Sequence, residues 1–290
     1  MEAQSKCQDW MMATPSFDIR VRRPLIAWPT LLLAVCCFVG LWFSTSAVLE
    51  GALAGYQGVL LHVLLFYLAF TPMHDAAHGA ISGGRSGFGW VDSVVGWSCC
   101  LLFFSPFAGF RRLHRRHHSA TNDPRRDPDY WVASARPLGV LFRCLSIIPH
   151  YYRFFLASGG FGGRSHNTER SYSTAVFAGM MATVAAFLTS PYAEQFLFLW
   201  LLPALIASSL VAFCFQWLPH HPHRRRGRYK STRLIEGWGL HWLLVAQDLH
   251  LVHHLYPQVP FYRYRSVYEH IRADLTSRGV PKLRLWWGRF

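Results

Sequence analysis

Charge is what this sequence is short of. Only 15% of its 290 residues are Asp, Glu, Lys or Arg, while 52% are hydrophobic, a balance too apolar for an ordinary soluble domain. Acidic residues are the scarcer sign, 15 against 29 Lys and Arg, which leaves a net charge of +14. The seven cysteines (Cys7, Cys36, Cys37, Cys99, Cys100, Cys144, Cys214) form no CxxC and mostly sit in apolar runs. A thiol there packs as a small hydrophobe, so no disulfide framework is expected. No GxGxxG fingerprint is present, which argues against a built-in dinucleotide site. Before Pro24 there is no compact apolar stretch, and Glu2, Asp9 and Asp18 interrupt the region. A cleaved leader is therefore not expected, and targeting falls to the membrane segments themselves. Low-complexity linkers are missing too, and internal similarity is confined to two apolar hairpins.

Lys and Arg are also absent from long stretches, and those gaps outline the fold. Four fall up to Arg23, twelve between Arg85 and Arg170, thirteen from Arg224 onward, and none elsewhere. The gaps hold four apolar runs, 25–49, 51–73, 174–192 and 195–218, each long enough to cross a hydrocarbon core as a helix. Glu50 separates the first pair, and a turn with Pro191 and Glu194 separates the second. Positive charge confined to the segments between hairpins follows the positive-inside rule. The basicity thus reads as topology rather than as nucleic-acid binding, because no basic stretch sits on a recognisable reading module. The expected fold is an all-α integral membrane protein of one domain, residues 1–290. It has two transmembrane helical hairpins (four spans) and a helical cap formed by 74–173 and 219–290. Cap and both termini are expected on the cytosolic side of an inner or plasma-type membrane. Gly87 to Phe110 would pass as a fifth crossing, but that would carry Arg111, Arg112, Arg115 and Arg116 outside, so it is read as re-entrant or interfacial. Pro137 to Ser158 mixes large apolar residues with Arg143 and Arg153. It suits a helix in the headgroup region or a core helix of the cap.

Fifteen of the sixteen histidines fall in the inferred cytosolic segments; His62 alone lies well inside a span and is read as a packed or hydrogen-bonded polar residue. The others repeat short patterns: HDAAH (His74, His78), HRRHH (His114, His117, His118) and HLVHH (His250, His253, His254). On a helix, positions i, i+3 and i+4 share one face. Eight imidazoles on one side of a membrane are too many for one tetrahedral zinc site and suit two metal ions. Imidazole serves iron, zinc, copper and nickel alike, so ligand type does not select the metal. Beside the boxes, Asp75, Asp123, Asp127, Asp129 and Asp248, with Asn122, are candidates to hold the second ring nitrogens. Balancing the local arginines is the alternative role for the carboxylates.

The three boxes, distributed around two helical hairpins from about Met73 to Arg265, resemble those of the membrane fatty acid desaturase superfamily. That resemblance implies a non-haem di-iron centre, O2 as co-substrate, and the eight box histidines as ligands. It adds His220 as a ninth, just beyond the fourth span, with the amide of Gln216 one turn earlier; His221 and His223 are the neighbouring alternatives. NDPRRDPDYW (Asn122 to Trp131), LPHHPH followed by RYKSTR (Leu218 to Arg233), and the run from Gln247 to Tyr264 are similar to cyanobacterial-type beta-carotene ring hydroxylases. The insert Arg224 to Arg226 and His221 depart from that group. Breaking an unactivated C–H bond needs a metal-oxygen oxidant that zinc, without redox chemistry, does not form. The expected activity is therefore O2-dependent hydroxylation or desaturation of a long lipid, with carotenoid ring hydroxylation in front. Acyl-lipid desaturation, acyl hydroxylation and terminal-alkene-forming decarboxylation are the enzymatic alternatives, and a metal-binding transporter or receptor the non-enzymatic one. Transport favours ionisable residues within the spans, where only His62 lies. An external electron donor of ferredoxin or cytochrome type is implied. Arg115, Arg116 and Arg224 to Arg226 are expected either to dock it or to anchor anionic lipid.

Overall fold

A computed structural model describes residues 23–157 and 164–285. Cys7, the acidic residues that argue against a leader, and both chain ends lie outside these. The described chain is mostly helical, and four helices are long and apolar enough to cross a membrane: α1 (Trp28–Leu49), α2 (Gly55–Ala77), the stretch Ser171–Leu188 of a longer helix, and Ala193–His220. Each overlaps one of the four expected runs. The second is longer than expected at its histidine box, because HDAA continues the helix past Met73 and Pro72 is tolerated within it.

α1 and α2 form an antiparallel hairpin, and Gly58 sets their approach: a Cβ there would lie 2.6 Å from a Val48 methyl. At the other end, Asp75 ties three segments together. It accepts from Thr30 Oγ1 at 2.9 Å and from the Phe261 amide at 3.3 Å, so the start of α1, the end of α2 and a C-terminal loop meet at one place.

The segment that resembled a fifth span is two helices, α3 (Gly89–Leu102) and α4 (Phe107–Ala120), bent by 97°. Fourteen residues make α3 about 21 Å long, short of the ~30 Å hydrocarbon core. Gly96 admits the Phe107 ring, whose nearest atom would lie 2.2 Å from an added Cβ. The chain thus bends and brings α4 to the end of α2, a shape that a broken span and a re-entrant loop share. The expected helix over 137–158 is broken at Ser146 into α5 (Pro137–Leu145) and α6 (Ile147–Ala157). Val140, Cys144 and Ile147 pack in one cluster with Ala212 of the fourth long helix, while Leu138, Leu141, Phe142 and Leu145 stay exposed. The pair packs against that helix on one face and leaves an exposed apolar face on the other.

The second hairpin joins α7 (Arg164–Leu188) to α8 (Ala193–His220). α8 contains two π-helical stretches, Leu197–Leu201 and Ala212–Trp217, each followed within two residues by a proline. Pro203 has no N–H for the Leu199 carbonyl, and His62 Nδ1 donates to that carbonyl instead. His62 is therefore a hydrogen-bonded packing residue joining α2 to α8. After α8 come α9 (His250–Leu255) and α10 (Tyr264–Ser277). One departure from an all-α fold is a two-stranded parallel sheet, β1 (Leu234–Glu236) beside β2 (Lys282–Arg284). Glu236 clamps it, pairing with Lys282 at 2.9 Å and Arg284 at 3.0 Å.

Candidate metal centre

Four elements deliver nine imidazoles to one place. His74 sits in the last turn of α2 and His78 at its C-cap; α4 carries His114, His117 and His118; α8 ends on His220; α9 carries His250, His253 and His254. Eight are buried and His118 is half-buried. They sort into two groups: His74, His78, His114, His118 and His253, and His117, His220, His250 and His254, with donor atoms in each group within 4.8 Å of one another. Neither HRRHH nor HLVHH serves a single group, which corrects the expectation that i, i+3 and i+4 work as one face. At about 100° per residue, i and i+4 diverge by about 40°, but i+3 and i+4 by about 100°. His114 and His118 therefore join one group and His117 the other. His250 and His254 split from His253 in the same way.

The ring nitrogens show what the groups would accept. His117 Nδ1 donates to Asp127 Oδ1 at 2.9 Å, His220 Nδ1 to the Ser231 carbonyl at 3.3 Å, and His250 Nδ1 to Gln247 Oε1 at 2.6 Å. A neutral imidazole has one N–H, so the Nε2 atoms of His220 and His250, and of His117 in its neutral form, carry bare lone pairs. Yet His220 Nε2 lies 3.0 Å from His250 Nε2, and His254 Nε2 is 3.1 Å from His250 Nε2 and 3.3 Å from His117 Nε2. In the other group, His118 Nε2 lies 3.2 Å from His114 Nε2 and 2.9 Å from His253 Nε2. His74 Nδ1 and His78 Nε2 are buried with no partner, each costing ~1–3 kcal/mol if left so. Lone pairs facing one another inside a protein are repulsive unless a cation sits between them. The donor set fits two metal ions.

Burial holds the group in its ligating form. It lowers the pKa of His78, His114, His118, His250, His253 and His254 well below 6.5, and neighbouring imidazoles add to the effect. His117 is the exception. Burial opposes its charged form too, but the carboxylates of Asp127 and Asp129 outweigh it and push the ring up to about 9. Asp127 and Asp129 with His117 form a third potential donor group, but Asp127 is engaged as the acceptor of the His117 N–H.

Only part of the expected outer layer touches a ring. Asp127 does, and Asp129 Oδ2 lies 3.6 Å from His117 Nδ1. Gln216 acts at a distance: its Nε2 donates to the Tyr151 hydroxyl at 2.8 Å, which donates to Asp129 Oδ1 at 2.5 Å. Three carboxylates are corrected. Asp75 is the latch described above, Asp123 organises a turn by accepting from the Arg125 and Arg126 amides and pairs with Arg226 at 3.2 Å, and Asp248 accepts from His241. Asn122 holds the loops instead of a ring: its amide nitrogen donates to the Arg225 and Ser231 carbonyls, and its backbone N–H to Asp127. Of the two alternatives to His220, neither joins a group; His221 is half-buried, and His223 is buried. The arginines read as a docking surface are partly occupied. Arg115 Nε donates to the Ala77 carbonyl, Arg116 Nε to the Arg126 carbonyl, and Arg226 pairs with Asp123.

Besides the Ser231 carbonyl, two side-chain partners of the rings are absent from the expected set. Gln247 lies three residues before His250, a helical spacing that signalled it. Tyr264, fully buried, places its hydroxyl 2.9 Å from His253 Nδ1, and no local spacing links it to the box. A narrow apolar cavity of about 50 Å³, lined in part by Phe110, Leu113, Tyr152, Phe155 and Phe177, borders α4. Phe110 stacks on His114 with centroids 5.6 Å apart.

Residues 51–286 match the family model described as fatty acid desaturase. An sn-1 oleoyl-lipid 12-desaturase of Picosynechococcus sp. is 24% identical, over 87% of this chain and 78% of its own. A zeaxanthin 4-ketolase of Chlamydomonas reinhardtii is 25% identical, over 81% of this chain and 49% of its own. The sn-2 acyl-lipid omega-3 desaturase (ferredoxin) of Arabidopsis thaliana chloroplasts is 26% identical, over 68% and 50%.

Proposed function

The chain belongs to the fatty acid desaturase family, and on that premise we propose that it uses two iron ions and O2 to oxidise a long lipid held at the end of its membrane spans. It is an integral membrane oxidoreductase of lipid-oxidising type. The observation that carries the finer reading is the sorting of nine imidazoles into a five and a four. His74, His78, His114, His118 and His253 would hold one ion, and His117, His220, His250 and His254 the other. Bound there, two irons supply, with O2 and two electrons, the oxidising power for an unactivated C–H bond that side chains lack. Asp127, the Ser231 carbonyl and Gln247 keep the proton on Nδ1 of their rings, so Nε2 faces inward. Burial excludes water, and the apolar wall beside Phe110 is the best-supported approach for a hydrocarbon segment. The electrons come from an external donor of ferredoxin or cytochrome type. The turns at Glu50 and Glu194 face outward and the histidines face the cytosol, which an impermeant thiol reagent checks by labelling Gly51→Cys and not Ser119→Cys in intact cells.

For the substrate, the stretches Asn122 to Trp131 and Leu218 to Arg233 support carotenoid ring hydroxylation. The names of the relatives, mostly desaturases and conjugases of fatty acyl chains, support oxidation of acyl chains as a second reading. Expression in cells that accumulate beta-carotene, with mass spectrometry of pigments and acyl chains, separates them. Hydroxylated carotenoid is the expected product; new double bonds in acyl chains favour the second reading. No oxidised lipid of either kind from iron-loaded protein supplied with a donor would overturn the proposal.

A further inference from the structure

Behind the last turn of α8 lies a second cavity, about 180 Å³, of opposite character to the apolar one. Arg225, Lys230, Arg233 and Lys282 line it, with Thr232 and His220, and no acidic side chain does. Lys282 is matched by Glu236. Arg225, Lys230 and Arg233 have no carboxylate at ion-pair distance among the described residues; Arg233 Nε instead donates to the Leu218 carbonyl at 2.8 Å. Three cations thus line one half-open space, Arg225 and Lys230 at its exposed rim and Arg233 half-buried. Thr232 adds an independent sign. It is 1% exposed, and its Oγ1 is buried with no partner, a hydroxyl lacking the bond that buried polar groups nearly always make.

We propose that this cavity is a binding site for a phosphate group. A tetrahedral oxyanion offers what each feature lacks: negative charge for the three cations and an acceptor for the Thr232 hydroxyl. The volume takes a phosphate and a few waters, each of which occupies ~30 Å³ in the liquid. Two sources share this chemistry. One is a phospholipid headgroup, which the position at the end of a membrane span favours; the other is free phosphate. Occupancy bears on the metal centre, because the carbonyl of Ser231, next to Thr232, holds His220 Nδ1. The site adjoins the metal centre through His220, but phosphate binding there does not require the lipid oxidation argued above.

The full chain in phosphate-free detergent tests this in two arms: binding of inorganic phosphate, and capture on vesicles of phosphatidic acid against phosphatidylcholine. Thr232→Val, which removes the hydroxyl at nearly constant volume, and Lys230→Ala are each expected to weaken binding about tenfold, as loss of one bond to a charged group does. Arg272→Ala, which removes the same charge from α10, is expected to leave binding unchanged. Phosphate binding alone identifies a free-anion site, and vesicle capture alone a headgroup site; sensitivity to Lys230 and Thr232 in either arm supports the proposal. Equal losses for Lys230→Ala and Arg272→Ala, or no binding in both arms, overturn it. Should Thr232→Val fail to fold, the Lys230 and Arg272 pair decides.

Discussion

The two histidine groups are neighbours, with the rings of His118 and His254 stacked at 4.2 Å between centroids, yet they are built differently. The group of four is anchored from behind: three of its rings have Nδ1 hydrogen-bonded to Asp127, the Ser231 carbonyl and Gln247. In the group of five, among the described residues, only His253 has such a partner, Tyr264. The group of four also has two carboxylates against it, whereas in the group of five burial keeps His78 neutral, with the neighbouring His74 ring and then Arg115 adding to it. One group is organised by number of donors and the other by orientation and charge. Two ions bound there would be inequivalent.

The largest effects should come from removing a ring from either group. His253→Ala opens the five and His117→Ala the four; both are expected to abolish lipid oxidation and lower iron content while the helical circular dichroism is unchanged. Either variant retaining full iron and activity would remove that group from the account.

Next comes the difference in anchoring. Removing an outer partner of a metal-ligating histidine costs roughly 10–100-fold in metal affinity. Asp127→Asn, which weakens the acceptor of the His117 proton, is expected to fall in that range, and Tyr264→Phe below it, since His253 shares its group with four other rings. Chelator competition measures both. A larger loss for Tyr264→Phe would invert the comparison.

A smaller effect concerns the loop that carries the carboxylates. His150 Nε2 donates to the Pro128 carbonyl at 3.1 Å, and burial lowers its pKa to about 4 although that hydrogen bond opposes the shift. The fold disfavours the charged ring, so its contribution is present above pH 6.5 and is lost as pH falls from 6.5 towards 4. His150→Gln should therefore flatten the decline in thermal midpoint between pH 7 and pH 4.5. An unchanged slope would show that His150 has no part in acid sensitivity. The smallest expected effect is at Asp123, whose carboxylate touches no ring: Asp123→Asn should leave chelator resistance as it is in the native chain.

How much of this was legible follows from distance along the chain. The spans and the boxes are local patterns, and all nine proposed ligands were readable, His220 through the resemblance. Assignment to two groups was implicit in the helical angle between i+3 and i+4 but was not drawn. Asp75 and Asp248 misled because nearness in sequence is not nearness in space: they lie one residue after His74 and two before His250, and such spacings do not face one another on a helix. Tyr264 and the Ser231 carbonyl reach their rings only through the tertiary fold, as do the partners of β1 and β2. No periodicity announces them.

Counting iron on the intact protein tests the central claim most directly. Native mass spectrometry of iron-loaded protein should find two ions on the native chain and a single ion on His220→Ala, which opens only the group of four. One ion on the native chain, or two on His220→Ala with activity intact, would contradict the division of nine histidines into a five and a four.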